Sequence, residues 1–226
     1  MKNVFIDIET APGSQWFQDK LALDVQPPGN YKNPEAILKW WDEVGNAKRE
    51  EAHKMASLSP FCNIICIGWA VEDGPLCSST GATEHEVLSN FAEALRKDLT
   101  DHTGFHNPRY VGHNILGFDM PRLFQRMIVN GVHPDFVRIK SPNLIKGWDD
   151  AFYDTMLTFG GRDTTGCSLG NLCKEFKIED KMPDMDGSKV YGLYQEGRIA
   201  EIAAYCREDV RLTRELYKHL ECVGND

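Results

Sequence analysis

Two acidic residues near the start of the chain have the spacing of a metal-binding pair. Asp7 and Glu9 lie in residues 4–9, a β-branched and aromatic run that predicts a strand. Residues two apart on a strand point to the same face, so the two carboxylates would lie side by side. A divalent cation is the simplest compensation for acids on an otherwise buried strand. The alternative is that the pair forms the solvated face of an edge strand.

A third acid follows a glycine-containing run. Asp119 comes directly after residues 112–118, which connect a predicted strand to a predicted helix. Loops at the ends of strands are where open α/β sheets place their sites. The alternative is that Asp119 is only the N-cap of the helix that has Pro121 in its first turn.

A phenol and a fourth carboxylate occur together near the end of the chain. Tyr205 and Asp209 are four residues apart on a helix predicted over 199–220, and they therefore share one face. Cys206, which lies between them, is expected on a different face. The alternative for Tyr205 is an amphipathic residue at the edge of the core.

Three motifs, taken in order, resemble those of the DnaQ-like, DEDD superfamily of 3′→5′ exonucleases, in its tyrosine subgroup. They are residues 5–10, 112–119 and 205–209. Within that superfamily the chain is most similar to stand-alone exonucleases related to the proofreading domain of family B DNA polymerases, and residues 184–190 resemble that subgroup as well. The resemblance covers nearly the whole chain except 14–59 and implies a ribonuclease H-like fold.

The resemblance also implies a mechanism. Four carboxylates would hold two divalent ions, Mg²⁺ or Mn²⁺, roughly 4 Å apart. Asp7 would bridge both ions, Glu9 and Asp209 would complete the shell of the first, and Asp119 would hold the second. Tyr205 would orient the attacking water, because a phenol with a pKa of about 10 is a poor base at neutral pH. The product would be a nucleoside 5′-monophosphate.

Substrate contacts are predicted from placement beside the motifs. The backbone of Thr10 would meet the terminal nucleotide, and Asn114 would hydrogen-bond the substrate or the motif loop. Phe118 would stack on or wedge between bases, the alternative being that it packs in the core. Candidate phosphate contacts are Lys181, Lys189 and Arg122.

The pattern of elements predicts the α/β class, with a central mixed five-stranded sheet flanked by helices. The first three strands are expected to form an antiparallel meander. We expect a single domain over 1–226, in which 14–59 is an insertion near the active site. Strands are predicted at 4–9, 63–71, 75–79, 109–112 and 152–157, helices at 83–99, 121–129, 169–176 and 199–220, and a polar loop at 179–188.

Composition limits the protein class. The chain has 226 residues, 42% of them hydrophobic, which fits one globular core. It has no run of ~20 apolar residues and no signal-peptide pattern, so a cytoplasmic location is expected, without membrane association. The seven cysteines include no CxxC pair, which predicts reduced core thiols and no zinc site. The net charge of −9 opposes long-range attraction to nucleic acid, although two bound metals would add about four positive charges.

The sequence leaves several functions open. The leading prediction is hydrolysis of DNA from its 3′ end, with single strands preferred. A first alternative is the same fold acting on RNA ends, which recognition of the 2′-OH would decide. A second is a non-catalytic nucleic-acid-binding module. A third is an exonuclease, of host or phage origin, whose replication-protein partner supplies most of the DNA affinity. The sequence does not specify an oligomeric state.

Overall fold

The chain forms two compact units. The structure, a computed structural model, describes residues 1–146 and 149–222. One unit comprises Met1–Glu9 together with Ile64–Asp226, and the other comprises Thr10–Asn63. Segment 14–59 falls within the second unit, and its assignment as an insertion near the active site of a single 1–226 domain stays a prediction.

A five-stranded sheet organises the first unit. Its strand order is β3-β2-β1-β6-β7, with β6 parallel to both β1 and β7, and β2 antiparallel to β3. The Glu72 N–H donates to the Asn3 carbonyl (2.9 Å), which places the end of β2 beside the start of β1. The predicted mixed five-stranded sheet is therefore confirmed. The strands are β1 (Lys2–Ala11), β2 (Asn63–Val71), β3 (Cys77–Ser79), β4 (Thr100–Asp101), β5 (Gly104–Phe105), β6 (Pro108–Gly112) and β7 (Phe152–Asp154), of which β4 and β5 form a separate two-stranded sheet.

Helices account for most of the remaining regular structure. The predicted helices at 83–99, 121–129, 169–176 and 199–220 are all present, with no end shifted by more than two residues. The α-helices are α1 (Gln15–Asp24), α2 (Pro34–Trp40), α3 (Asn46–Leu58), α4 (Glu84–Asp98), α5 (Asp119–Val129), α6 (Thr155–Gly160), α7 (Leu169–Glu175), α8 (Gly187–Gln195) and α9 (Ile199–Cys222).

Alternation along β1 separates the core from the candidate site. Ile6 and Ile8 are buried in the main hydrophobic cluster, together with residues of α4 and α5. Full burial of each such side chain stabilises the fold by about 1.5–3 kcal/mol. Phe5 lies in a second cluster with Val210 and Tyr217 of α9. Since side chains alternate, the face of β1 that meets α9 is also the face that carries the acids.

Several predicted boundaries were wrong, and β1 extends two residues beyond each end of the predicted 4–9. The strand predicted at 152–157 ends at Asp154, because the Asp154 carboxylate accepts hydrogen bonds from the N–H groups of Met156 (3.0 Å) and Leu157 (3.2 Å) and so begins α6. The polar loop predicted at 179–188 ends at α8, which Asp186 caps in the same way. Strand β3 begins at Cys77, two residues later than predicted.

The second unit is largely helical. Helix α2 begins with Pro34 and is capped by Asn33, whose side chain accepts from the Glu35 N–H. A π-helical turn, Trp41–Gly45, joins α2 to α3. Within the part of the chain that is described, no helix in either unit combines the length and apolar character needed to cross a bilayer.

Candidate active site

Strand β1 supplies the first two acids of the candidate site. Glu9 is buried, with 8% of its surface exposed, and Asp7 is partly buried. One ligand atom from each, together with the Cys206 sulfur, lies within 4.8 Å of the others. The prediction that the two carboxylates share a face is therefore confirmed, and the burial of Glu9 excludes a freely solvated edge for that residue.

Asp119 is fixed to β1 by a hydrogen bond. Its Oδ1 accepts from the backbone N–H of Ile8, the residue between the two strand acids, at 3.1 Å. Asp119 is the first residue of α5 and is 4% exposed, whereas the N-cap is Phe118, which makes no side-chain capping bond. The carboxylate therefore faces β1 and does not serve as a simple N-cap.

Helix α9 brings Tyr205 and Asp209 to the same place. Both side chains are half-buried, and the Tyr205 hydroxyl is hydrogen-bonded to Asp209. The charge of Asp209 acts on both Asp7 and Glu9, which shows that the third motif meets the first. The five residues predicted to be catalytic thus lie together in one cluster.

Cys206 joins this cluster, contrary to the expectation that it would lie on another face of the helix. Its Sγ is 3.4 Å from both the carbonyl oxygen and Oδ2 of Asp7. The approach depends on Gly68 of β2, where an added Cβ would lie 2.9 Å from the Cys206 sulfur and 3.0 Å from its carbonyl oxygen. The absent side chain therefore lets α9 pack close to the sheet.

Burial makes the acids of the cluster hard to ionise. Burial raises the pKa of Asp7, and the negative charges of Glu9, Asp209 and Asp119 raise it further. The pKa of Glu9 and that of Asp119 are also raised, in each case first by burial. Burial raises the pKa of Asp209 to about 7, despite the hydrogen bond from Tyr205.

The tyrosine is even less inclined to lose its proton. Burial raises the pKa of the Tyr205 phenol far above its ordinary value, and the charges of Asp209 and Glu9 add to the effect. The phenol therefore acts as a hydrogen-bond donor at neutral pH. This agrees with an orienting role and opposes a role as general base.

The donor set fits divalent cations. Oxygen ligands from carboxylates suit Mg²⁺ and Mn²⁺. The groups that dominate the environments of Asp7, Glu9 and Asp119 are acidic or neutral, with no lysine or arginine among them in the described chain. Positive charge supplied by a metal would relieve the repulsion within the cluster.

A buried aspartate that the sequence interpretation missed supports the second motif. Asp154, at the end of β7, accepts from the N–H groups of Asn114 and Leu116, each at 3.1 Å. Asn114 has a left-handed backbone (φ 58°), which asparagine tolerates better than most residues. Its side chain lies so close to Gly117 that a Cβ there would be 2.4 Å from Asn114 Oδ1. Asn114 thus has a structural role in the motif loop, and a contact with substrate stays a prediction.

The other predicted substrate residues have mixed positions. Phe118 is half-buried against the main core cluster, with the Arg122 guanidinium 5.5 Å from its ring centre, so the core-packing alternative holds in part. Thr10 belongs to the second unit, where its hydroxyl donates to the Ser57 carbonyl (2.8 Å). The predicted roles of both residues in substrate binding stay predictions.

A partly buried ion pair on α9 holds the loop that follows α7. Arg211 donates to the Glu208 carboxylate at 2.7 and 2.9 Å, and the backbone N–H of Lys181 donates to the same carboxylate at 2.9 Å. Arg211 also donates to the carbonyl of Glu179. Asp180, in the same loop, raises the pKa of Asp209 through its charge. The loop therefore borders the acid cluster, and Lys181 is the predicted phosphate contact that lies beside it.

Comparisons with known proteins bear on the family and on the fold. A family model described as "Predicted 3'-5' exonuclease related to the exonuclease domain of PolB" matches residues 59–225. No curated protein matches the chain. Among solved structures, the family B DNA polymerase from the hyperthermophilic archaeon Pyrobaculum calidifontis is similar, with a TM-score of 0.56 and 16% sequence identity over 97% of this chain. The chain spans only 24% of that polymerase, and the likeness at this identity concerns the fold.

Proposed function

Because the chain belongs to the family of predicted 3′-5′ exonucleases related to the exonuclease domain of PolB, we propose that it hydrolyses DNA from the 3′ end with two divalent metal ions. The observation that carries the proposal is the convergence of four acids and one tyrosine from three separate elements. These residues are Asp7, Glu9, Asp119, Tyr205 and Asp209.

The proposed metal ligands are the four carboxylates. When bound, two Mg²⁺ or Mn²⁺ ions would activate a water and stabilise the charge on the entering and leaving oxygens of the phosphodiester. Asp7 has the central position for this role, because the charges of Glu9, Asp209 and Asp119 all raise its pKa. The Ile8 N–H holds the Asp119 carboxylate toward β1, which limits the motion of that ligand.

Tyr205 would place the attacking water. Its hydroxyl lies beside Asp209 and keeps its proton, so by turning its single O–H from Asp209 to the water it can hold the water oxygen in line with the terminal phosphorus. The water gives up a proton to solvent as its oxygen bonds to phosphorus, the bond to the 3′ oxygen breaks, and that oxygen takes up a proton from solvent. The products are a nucleoside 5′-monophosphate and a strand shortened by one.

DNA is preferred to RNA in this proposal because the similar solved structure is a DNA polymerase. Single strands are the proposed form of the substrate, since the terminal bases must leave the duplex to reach the site. A replication-protein partner and a cytoplasmic location also stay predictions.

The direct test uses 5′-labelled single-stranded DNA, duplex DNA and RNA, each with Mg²⁺, with Mn²⁺ and with EDTA. We expect a ladder of products shortened from the 3′ end, formed only with metal and fastest on single-stranded DNA. Faster cleavage of RNA would favour the RNA alternative. A ladder from the 5′ end, or cleavage that persists in EDTA, would contradict the proposal.

The metal site can be tested without catalysis. Mn²⁺ should raise the melting temperature of the wild type, because binding to the folded state alone stabilises it by mass action. Asp7→Ala should lose most of that increase. A wild-type melting temperature that does not respond to Mn²⁺ would count against the site.

A further inference from the structure

A thiol lies among the proposed metal ligands. The Cys206 sulfur is 3.4 Å from Asp7 Oδ2, and one ligand atom from each of Asp7, Glu9 and Cys206 lies within 4.8 Å of the other two. Donors around a tetrahedral Zn²⁺ are roughly 3.5 Å apart, given Zn–S and Zn–O distances of about 2.3 and 2.0–2.2 Å. The three atoms need only small movements to surround one ion.

Glu9 gives independent evidence that the cluster takes a cation. Only 8% of the residue is exposed to solvent. Within the described chain no residue donates a hydrogen bond to its carboxylate, and one of its oxygens lies within 4.8 Å of ligand atoms of Asp7 and Cys206. A largely buried carboxylate with no protein donor is costly to ionise, and a cation bound beside it would compensate its charge.

The position of the thiol is fixed by packing. Cys206 is fully buried on α9, and the helix comes close to β2 because Gly68 has no side chain. Among the described cysteines, Cys206 is the one whose sulfur lies within ligand distance of the two acids. It therefore stays in the cluster whether or not a metal is bound.

We propose that Cys206, Asp7 and Glu9 form a site for a thiophilic divalent ion of the Zn²⁺ class. The site overlaps the one proposed above for Mg²⁺ or Mn²⁺, and this inference rests on that proposed function. On binding, the thiol proton passes to solvent as the sulfur–metal bond forms. Thiolate ligands favour Zn²⁺ over Mg²⁺ and Mn²⁺, so a thiophilic ion competes for Asp7 and Glu9 and inhibits Mn²⁺-dependent cleavage.

The experiment is a titration of the full chain with Cd²⁺ alone, followed by the ultraviolet charge-transfer band of a cadmium–thiolate bond. Wild type is compared with Cys206→Ser, Cys206→Ala, Cys66→Ser and Asp7→Asn. Cys66 is the matched control, because it is also buried beside Cys206 but lies outside the ligand cluster. The melting temperature with Mn²⁺ is measured on the same samples.

We expect the band to saturate near one equivalent of Cd²⁺ in wild type and Cys66→Ser, to need more Cd²⁺ in Asp7→Asn, and to be lost in whichever Cys206 variant folds. Affinity for Cd²⁺ should fall about tenfold or more in that variant, while Mn²⁺ still raises its melting temperature. A band that persists without Cys206, or that disappears in Cys66→Ser, overturns the thiol assignment. So does Mn²⁺ stabilisation of a wild type that gives no band. A wild type that neither responds to Mn²⁺ nor cleaves DNA overturns the proposed function itself.

Discussion

The Oδ1 atom of Asp119 accepts a hydrogen bond from the backbone N–H of Ile8 at 3.1 Å. Asp119 begins α5, and Ile8 lies between the two acids of β1. One carboxylate is therefore both a proposed metal ligand and a structural link between the first and second motifs. Substitutions at this residue can separate the two roles.

Asp119→Asn and Asp119→Ala should both abolish cleavage, because each removes the charge. Asparagine keeps an oxygen that can accept from Ile8, whereas alanine leaves a buried N–H without its partner. We therefore expect Asp119→Ala to be less stable than Asp119→Asn by about 1–3 kcal/mol. Urea unfolding in EDTA measures the difference, and equal free energies of unfolding would show that the hydrogen bond contributes little.

Metal-free protein should lose stability as the pH rises from about 6.5 to about 8. Burial raises the pKa of Asp209 to about 7, and that of Asp7 is raised as well. Above about pH 4, which is the pKa of these carboxyls in the unfolded state, the folded state binds more protons than the unfolded state. The free energy of unfolding therefore falls as the pH rises, until the pH passes the pKa of the carboxyls in the folded state. The measurement is the melting temperature in EDTA at both pH values.

Asp209→Asn is the control for this pH dependence, and it should flatten the decline. The pH range of this experiment excludes the titration of His113. The lowered pKa of His113 makes the free energy of unfolding rise with pH below about pH 6.5, which is the opposite direction. Mn²⁺ should raise the melting temperature more at the higher pH, where its ligands are ionised. A metal effect that does not depend on pH would contradict the raised pKa values.

Tyr205→Phe should slow cleavage while leaving metal binding nearly normal. The phenol keeps its proton and orients a water, so its loss misplaces the nucleophile without removing a ligand. A drop on the order of 10²-fold is expected under single-turnover conditions. Asp7→Ala and Asp209→Ala are the comparison, because both should abolish activity. An unchanged Tyr205→Phe rate would exclude the orienting role.

The spacing of residues within single elements made two side-chain pairs of the candidate site predictable. The period of two on β1 placed Asp7 and Glu9 on one face, and the four-residue spacing on α9 placed Tyr205 with Asp209. The mixed sheet followed from strands that alternate with helices. These features depend on residues that lie close together in the sequence, so they can be predicted from the sequence alone.

Long-range contacts were not predictable in the same way. Cys206 reaches Asp7 across 199 residues, because Gly68 lets the helix approach the sheet. Asp154 accepts from Asn114, 40 residues earlier, and simultaneously ends β7. Such contacts depend on how elements pack, which a single sequence does not specify.

Gly68→Ala should destabilise the protein by about 1–3 kcal/mol, because the new methyl group would collide with the sulfur and the backbone of Cys206. It should also slow cleavage, since α9 carries Tyr205 and Asp209. Gly192→Ala is the matched control: Gly192 lies inside α8 with nothing within 4 Å of an added Cβ, and a gain of roughly 0.4–1 kcal/mol is expected there. Equal behaviour of the two variants would refute the close packing of α9 on β2.

Single-stranded DNA, or a frayed 3′ end, should be degraded faster than a fully paired blunt duplex. The acids are buried or partly buried, so the terminal phosphodiester must enter the cluster and the last nucleotides must leave the stack. Unpairing costs a few kcal/mol, and with a net charge of −9 the chain has little electrostatic attraction to offset it. Since each 1.36 kcal/mol is a factor of ten, the duplex should react roughly 10- to 10²-fold more slowly.

The test compares initial rates on a 5′-labelled oligonucleotide alone, annealed to its complement, and annealed with mismatches at its 3′ end, all at one salt concentration. The mismatched duplex should recover most of the single-strand rate, and a 3′-phosphate version checks polarity. Equal rates on paired and unpaired ends would remove the argument that the strand must open before cleavage.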